Sequence, residues 1–368
     1  MLGEMFEQLM LKTEGARLEG GTDHRKMPGG TYYTPQDVAD EMTADAIAGW
    51  LSRRVPHIEW GHARELVHPL ADGDGWRHWN PNTKRDVARL LRDITVFDPC
   101  CGSGVFTLAT LHGLWRALRR LCPGRITPKD LELIIERQLY AADIHPMAVL
   151  ITRLRLFIAL IDARLRHGAS GAQLTVPLPN LETRCIAANT LSVEVAGQDV
   201  LRDANWDRGM ADLRAAREMW TVAHYPEDKE TALEEESRAR QRLKVLGWSW
   251  SAPDELKWLD LDFLSITNWP ADQDVRKLFP APQGGWDIVI GNPPYQSPDE
   301  EDKHHGKKLG YAGATSNLYL MFIEAALKVT RPGGCVTLVV PHSIVFRRDT
   351  THANVRKQIE NMSRAFPR

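Results

Sequence analysis

Asn292, Pro293, Pro294 and Tyr295 form the stretch with the clearest chemical content in the chain. The Asn292 side-chain oxygen and the Pro293 carbonyl can each accept one N–H, and Tyr295 offers an aromatic face. Together these groups suit one task, holding a planar NH2 group and the ring that bears it. When both amine hydrogens are accepted, the nitrogen is drawn out of conjugation and its lone pair is free to attack. No general base is needed at the start. The bland alternative is a proline-rich turn after a core strand.

The preceding residues say how such a loop is positioned. Asp287 to Ile290 reads as a buried, β-branched parallel strand, and Gly291 with the two prolines forbids both its continuation and a helix. Asn292 and Pro293 each precede a proline and are pushed toward extended geometry. A stiff loop at the carboxyl end of a strand results.

A second stretch, Ile94-Thr-Val-Phe-Asp-Pro-Cys-Cys-Gly-Ser-Gly-Val-Phe106, reads as a short strand ending in Asp98, a tight turn through Gly102 and Gly104, and a helix to about Leu121. That order opens a nucleotide-binding α/β fold. The spacing matches neither the dinucleotide fingerprint nor a P-loop. An acidic residue at the strand end would repel a pyrophosphate but suits a ligand's ammonium, which points to an amino-acid-bearing nucleoside. The next strand, Gln138 to Asp143, ends in a second carboxylate where such folds grip ribose hydroxyls. Pro146 opens a long helix to about His167, and His145 reads as a helix-end residue. A third strand, Arg184 to Asn189, ends in an amide able to read a purine edge. Upstream, Thr34 is the expected N-cap of a helix with Pro35 at its first position and Asp37 in its first turn.

The remainder supplies scaffold. The 368 residues are 43% hydrophobic, with 46 basic against 48 acidic side chains, so a core is easy to build. A purely electrostatic nucleic-acid coat is not supported, although a local basic groove is allowed. The five cysteines, Cys100, Cys101, Cys122, Cys185 and Cys335, show neither a paired framework nor metal spacing, which suggests a reducing cytoplasm. No signal peptide and no bilayer-spanning apolar run is recognised. Met1 to about Lys26 reads as an amphipathic helix and a Gly-rich loop, and residues 53–92 as a poorly periodic connection with some helix. Two charged helices, about Asp207–Thr221 and Lys229–Leu246, lead into a Trp-rich piece with Trp248, Trp250, Trp258 and Trp269. Glu255-Leu-Lys257 has the form of a nuclease tail but is too short to carry that meaning. Ser297 to Thr315 reads as a polar loop with a basic run, Asn317 caps an apolar helix, and Cys335 to Val340 is a fifth strand. The total is a β-α-β-α-β-insertion-β-α-β succession, hence a mostly parallel sheet with helices on both faces.

The ordered set T-Y-Y-T-P (31–35), D-P-x-x-G-S-G (98–104), A-D-I-H-P (142–146), A-N-T-L (188–191) and I-G-N-P-P-Y (290–295) resembles the gamma-class N6-adenine DNA methyltransferases, most closely the methyltransferase portion of type IIG restriction-modification enzymes. The resemblance covers nearly the whole chain. It implies a Rossmann-like α/β fold that uses S-adenosyl-L-methionine, with residues 1–92 an N-terminal helical segment, 93–191 the cofactor-binding half, 192–283 a helical insertion and 284–368 the catalytic half. It further implies that Tyr33, Thr34, Asp98, Pro99, Gly102 and Gly104 line the methionine end of the cofactor. Asp143 would bind the ribose, Ile144 would pack on the adenine and Asn189 would contact its edge, where many relatives have Asp. Asn292, Pro293, Pro294 and Tyr295 would take the target adenine, flipped from double-stranded DNA, with Phe346 a candidate second stacking ring. The expected setting is cytoplasmic, in restriction-modification or phage defence.

The resemblance implies further chain beyond the fifth strand, a strand pair and a target-recognition domain, so a partner polypeptide is expected to read the DNA sequence. Two other readings stand beside the first. One is methylation of another planar amine, a protein glutamine or an RNA base. The other is an inactive or partner-dependent cofactor-binding scaffold.

Overall fold

A computed structural model describes residues 34–170, 179, 181, 184–187, 189–191, 204–223, 225–245 and 285–364. Tyr33, the amphipathic helix expected at Met1–Lys26, the Trp-rich piece and Glu255-Leu-Lys257 lie outside them.

Five strands, β1 (Val96–Asp98), β2 (Leu139–Asp143), β3 (Cys185–Ala187), β4 (Trp286–Gly291) and β5 (Thr330–Leu338), form one sheet in the order β3-β2-β1-β4-β5. Every pairing is parallel. The strand order reverses between β1 and β4, and in such sheets ligands bind outside the carboxyl ends at that point. This is a doubly wound, Rossmann-like α/β architecture.

On one face lie α1 (Gln36–Arg54), α4 (Val105–Leu121) and α6 (Pro146–Arg166), with α5 (Pro128–Arg137) beside them; α10 (Leu318–Val329) and α12 (Thr350–Arg364) cover the other. Right-handed crossovers leaving the centre in opposite directions require this division. α7 (Ala204–Val222) and α8 (Pro226–Val245) pack on one another with Leu213, Ala239 and Leu243 buried. None of the described helices is long and apolar enough to cross a membrane.

Several local expectations need correction. The first described helix starts at Gln36 and its N-cap is Pro35, which makes no side-chain cap bond, so Thr34 is not the cap. Residues 53–92 are mostly helical: α2 (Trp60–Val67), a 3-10 turn (Gly75–His78) and α3 (Pro81–Asp93). The start of α3 carries a signal that the sequence reading passed over: Asn80 accepts from the Thr83 N–H and Pro81 opens the first turn. The polar stretch after Ser297 contains α9 (Glu300–Lys308) and a 3-10 turn (Ala312–Thr315). Asp299 accepts from the Asp302 N–H at 2.8 Å, and the helix runs from acidic to basic as its dipole favours. β5 begins at Thr330 instead of Cys335, because Arg331-Pro-Gly-Gly334 is absorbed as a bulge: the pairing steps from Trp286 with Thr330 to Ile288 with Cys335.

Asp287 was read as part of an apolar strand, yet it ties the sheet together. It is 2% exposed. Its Oδ2 accepts from the Thr95 main chain and hydroxyl, each at 3.0 Å, and its Oδ1 from Trp50 Nε1 at 3.0 Å. Arg54 and Arg331 approach the same Oδ1 at 3.3 Å. A carboxylate so enclosed is tolerated because donors and cations surround it. Beside it the fully buried Trp286 stacks on Phe97 with ring centroids 4.5 Å apart.

Candidate active site at the carboxyl edge of the sheet

Four strand ends converge here. After β1 the chain turns through Gly102 and Gly104, whose φ values of 52° and 83° favour glycine. A side chain on Gly104 would also strike Thr152, while nothing lies within 4 Å of a Cβ placed on Gly102. The turn is therefore packed on its helix side and open on the other. Asp143, ending β2, holds it: Oδ2 accepts from the Gly102 N–H at 2.8 Å and Oδ1 from the His145 N–H at 2.9 Å. Asn189, just beyond β3, accepts from the Leu191 N–H at 3.0 Å, and the buried Thr190 hydroxyl donates to the Pro99 carbonyl.

Asp98 is 1% exposed. One oxygen accepts from the Cys100 N–H, and the other has no donor in good geometry, the Thr107 hydroxyl beside it being the weakest influence on its charge. Burial, reinforced by the Asp143 carboxylate, pushes its carboxyl well above the usual range. Burial raises Asp143 too, against the pull of the His145 and Gly102 amides. The Cys100 and Cys101 thiols are driven up by burial first and then by these two carboxylates, which unsuits them as nucleophiles. An orphaned carboxylate oxygen under a glycine turn fits a cationic group. Ile144, apolar yet 55% exposed next to Asp143, fits a flat apolar ring.

The β4 loop meets the β1 loop almost without a gap. A Cβ on Gly291 would lie 2.9 Å from Asp98 Oδ1 and 3.1 Å from the Cys100 sulfur. Beyond it, the Asn292 amide is held on both sides. Its Nδ2 donates to Thr34 Oγ1 at 3.0 Å, and its Oδ1 accepts from the Tyr295 hydroxyl at 2.8 Å. The same hydroxyl lies 3.2 Å from the Val339 carbonyl. A carbonyl oxygen has two lone pairs, so Asn292 keeps one for a further N–H. Pro293 is buried, and Pro294 and Tyr295 are half-buried.

Thr34, Asp98, Pro99, Gly102, Gly104, Asp143, Ile144, Asn189 and Asn292 to Tyr295 thus share one edge. Phe346 stands apart: it is 73% exposed on α11 (Ser343–Phe346), with its ring against His342. Other residues at the site were not anticipated. Asn317, expected only as a helix cap, also donates from Nδ2 to the Tyr295 carbonyl at 2.8 Å. Tyr319 stands edge-on to the Tyr295 ring, and His352 bonds its hydroxyl. The sequence signal for Asn317 and Tyr319 was the N-L-Y start of the apolar helix. Among the described residues, no cluster of His, Cys, Asp or Glu has a metal-binding arrangement.

Residues 137–364, well over half of the chain, match the Eco57I restriction-modification methylase family model. The chain belongs to this family. The match includes β2 to α12 and the Asn292–Tyr295 loop of the methylase, while Thr34 and Asp98 precede it. A Methanocaldococcus jannaschii protein described as a type II restriction enzyme and methyltransferase is 22% identical over 407 aligned positions, which cover 90% of this chain and 33% of the relative. The methylase chain therefore spans about a third of that relative's length. Among solved structures, it is similar to the ATP-dependent Type ISP restriction-modification enzyme LlaBIII bound to DNA, at 12% identity and a TM-score of 0.46, covering 90% of this chain and 16% of that one.

Proposed function

We propose that this methylase transfers a methyl group from S-adenosyl-L-methionine to the N6 amine of adenine in double-stranded DNA, within a restriction-modification or phage-defence system. One observation carries the reading: the Asn292 amide is fixed by Thr34 and Tyr295 so that its oxygen, which accepts one bond, keeps a second lone pair for a further N–H. The bound cofactor supplies an electrophilic methyl group on a sulfonium centre.

The protein's own groups do the rest. The Asp98 oxygen that Cys100 leaves free would hold the ammonium of the methionine portion. Asp143 would accept from ribose hydroxyls with the lone pairs that Gly102 and His145 leave free. Ile144 would pack on the cofactor's adenine, Asn189 would contact its edge, and Thr34, with Tyr33 by the family resemblance, would approach the methionine end. The target adenine must leave the duplex stack at a cost of a few kcal/mol. Stacking on Tyr295, worth about 1–3 kcal/mol, offsets part of this. Asn292 Oδ1 and the Pro293 carbonyl would accept the two N6 hydrogens and free the nitrogen lone pair for attack, the methylated nitrogen afterwards releasing one proton to solvent. The proposal extends to a partner polypeptide that reads the DNA sequence; sequence-specific methylation by the isolated chain would remove that extension.

The test is transfer of labelled methyl to unmethylated duplex DNA, with digestion to nucleosides. Label in N6-methyladenine, absent with Asn292→Ala, supports the reading. Label in cytosine, protein or RNA overturns it, while cofactor binding without transfer to any DNA points to a chain that needs its partner or to a scaffold.

A further inference from the structure

Behind Tyr295 lies a chain of polar side chains, running from the buried Tyr319 and His352 to the exposed Asp349, that the reaction above does not use. Tyr319, 2% exposed, presents its ring edge to the Tyr295 ring, with centroids 6.2 Å apart and planes at 86°. Its hydroxyl is fixed from the far side, 2.7 Å from His352 Nε2 and 2.9 Å from Ser343 Oγ. His352 is fully buried, and its Nδ1 lies 2.8 Å from Asp349 Oδ1. A neutral His352 ring that donates from Nδ1 to Asp349 leaves Nε2 to accept the Tyr319 O–H, and the Tyr319 oxygen is then free to accept from Ser343. Every polar atom of the series is thereby satisfied.

The plain reading is that Asp349 caps α12 and His352 is a core histidine. Capping accounts for the Asp349 bond to the His352 main-chain N–H at 3.0 Å. It does not account for a ring bonded on both nitrogens, nor for a tyrosine bonded on two sides where phenylalanine would fill the same apolar cluster with Leu320, Ile323, Ile344 and Val355. The Tyr295 main chain is separately tied by Asn317. Two anchors therefore converge on Tyr295, one on its backbone and one on its ring. That ring's hydroxyl in turn orients Asn292.

We infer that Tyr319, held by His352, Asp349 and Ser343, is a positioning residue that sets the plane of the Tyr295 ring and, through the Tyr295 hydroxyl, the aim of the Asn292 oxygen. The inference rests on the proposed methyl transfer for its kinetic consequence, and on geometry alone for the rest. The device links α10 and α12 to the amine-holding loop without touching either substrate. Its loss lowers the rate of the chemical step and leaves cofactor affinity unchanged.

The experiment uses the full chain carrying fluorotyrosine, with the Tyr295 fluorine resonance assigned by its loss in Tyr295→Phe. Tyr319→Phe keeps the ring and removes both hydroxyl bonds; His352→Ala removes the support behind it. The expected result is a shifted, broadened Tyr295 resonance in both variants. Single-turnover methyl transfer should fall by about tenfold in each, with no further loss in the double variant and with the S-adenosyl-L-methionine Kd within about twofold of wild type, since residues acting as one unit are non-additive. An unmoved Tyr295 resonance in folded Tyr319→Phe overturns the inference, as does an additive double variant or an unchanged rate. If the unsubstituted chain transfers no methyl group at all, that outcome bears on the functional reading and its partner, while the fluorine spectrum still decides this one.

Discussion

Thr34 and Asn292, 258 positions apart, meet at 3.0 Å with the Asn292 amide donating to the threonine hydroxyl oxygen. This bond decides which end of the amide faces outward. An asparagine that donates to Thr34 and accepts from Tyr295 has its oxygen, and not its nitrogen, on the Tyr295 side. Thr34→Val keeps the shape and removes the acceptor. Leaving a donor unpaired costs about 1–3 kcal/mol, so methyl transfer should drop by about tenfold or more, with Thr34→Ser near wild type. Equal rates for Val and Ser would show that the amide finds its orientation otherwise.

Asn292→Ala removes the acceptor outright. Loss of one preorganised hydrogen-bonding group at a reacting centre typically lowers kcat by 100-fold or more, on the order of 3 kcal/mol. Cofactor affinity, measured by calorimetry, should change far less than transfer does.

Asp98 makes a prediction about pH. Its carboxyl lies well above the ordinary value of 3.8 because burial disfavours the charged form. The folded state then holds a proton that the unfolded state has released, so stability falls as pH rises from about 4 toward the folded pKa. Asp98→Asn removes that loss. The variant's thermal midpoint, minus that of wild type, should grow as pH is raised, while binding of a cationic ligand is lost. A difference independent of pH would count against this account.

Asp287→Ala strips the acceptor from Thr95, Trp50, Arg54 and Arg331 at once. Breaking a buried charge from its partners costs about 3–5 kcal/mol, read as a lowered urea midpoint. Asp287→Asn, which keeps the acceptor oxygen, should cost less.

Gly291→Ala places a methyl group 2.9 Å from Asp98 Oδ1, where neither loop has room. Overpacking of this kind costs about 1–3 kcal/mol and separates the two loops. Transfer should fall more steeply than stability does, which a thermal melt run beside the methyl-transfer assay would reveal.

The strands and the loop-bearing residues were legible because each strand end carries a distinctive change, from apolar residues to Asp98, to Asp143 or to Gly291-Asn-Pro-Pro. Such breaks are local and survive without knowledge of neighbours. Asp287 was not legible. A single acid in an apolar strand is uninformative until Arg54, Trp50 and Thr95 arrive from elsewhere in the chain. The cap at Thr34 was misplaced by one residue, because Pro35 and Thr34 both suit a helix entry and only the contact with Asn292 separates them. His352 gave no signal, since nothing in its neighbourhood in sequence predicts that Tyr319 lies across from it. The helix at Glu300–Lys308 was missed although its charges were ordered correctly for one, because it has no apolar stripe.

The Asp287 clamp also sets an order of events in folding. Thr95 and Asp287 are 192 positions apart, and β4 enters between β1 and β5. During synthesis β1, β2 and β3 can pair as soon as each emerges, but the other edge of β1 waits for almost two hundred further residues. At about 5–20 residues per second, that interval lasts on the order of ten seconds or more. Throughout it, Val96 and Phe97 present an unpaired apolar edge of the kind that recruits stray strands. The site assembles at the close of this interval, since Asn292 follows Asp287 by only a few residues.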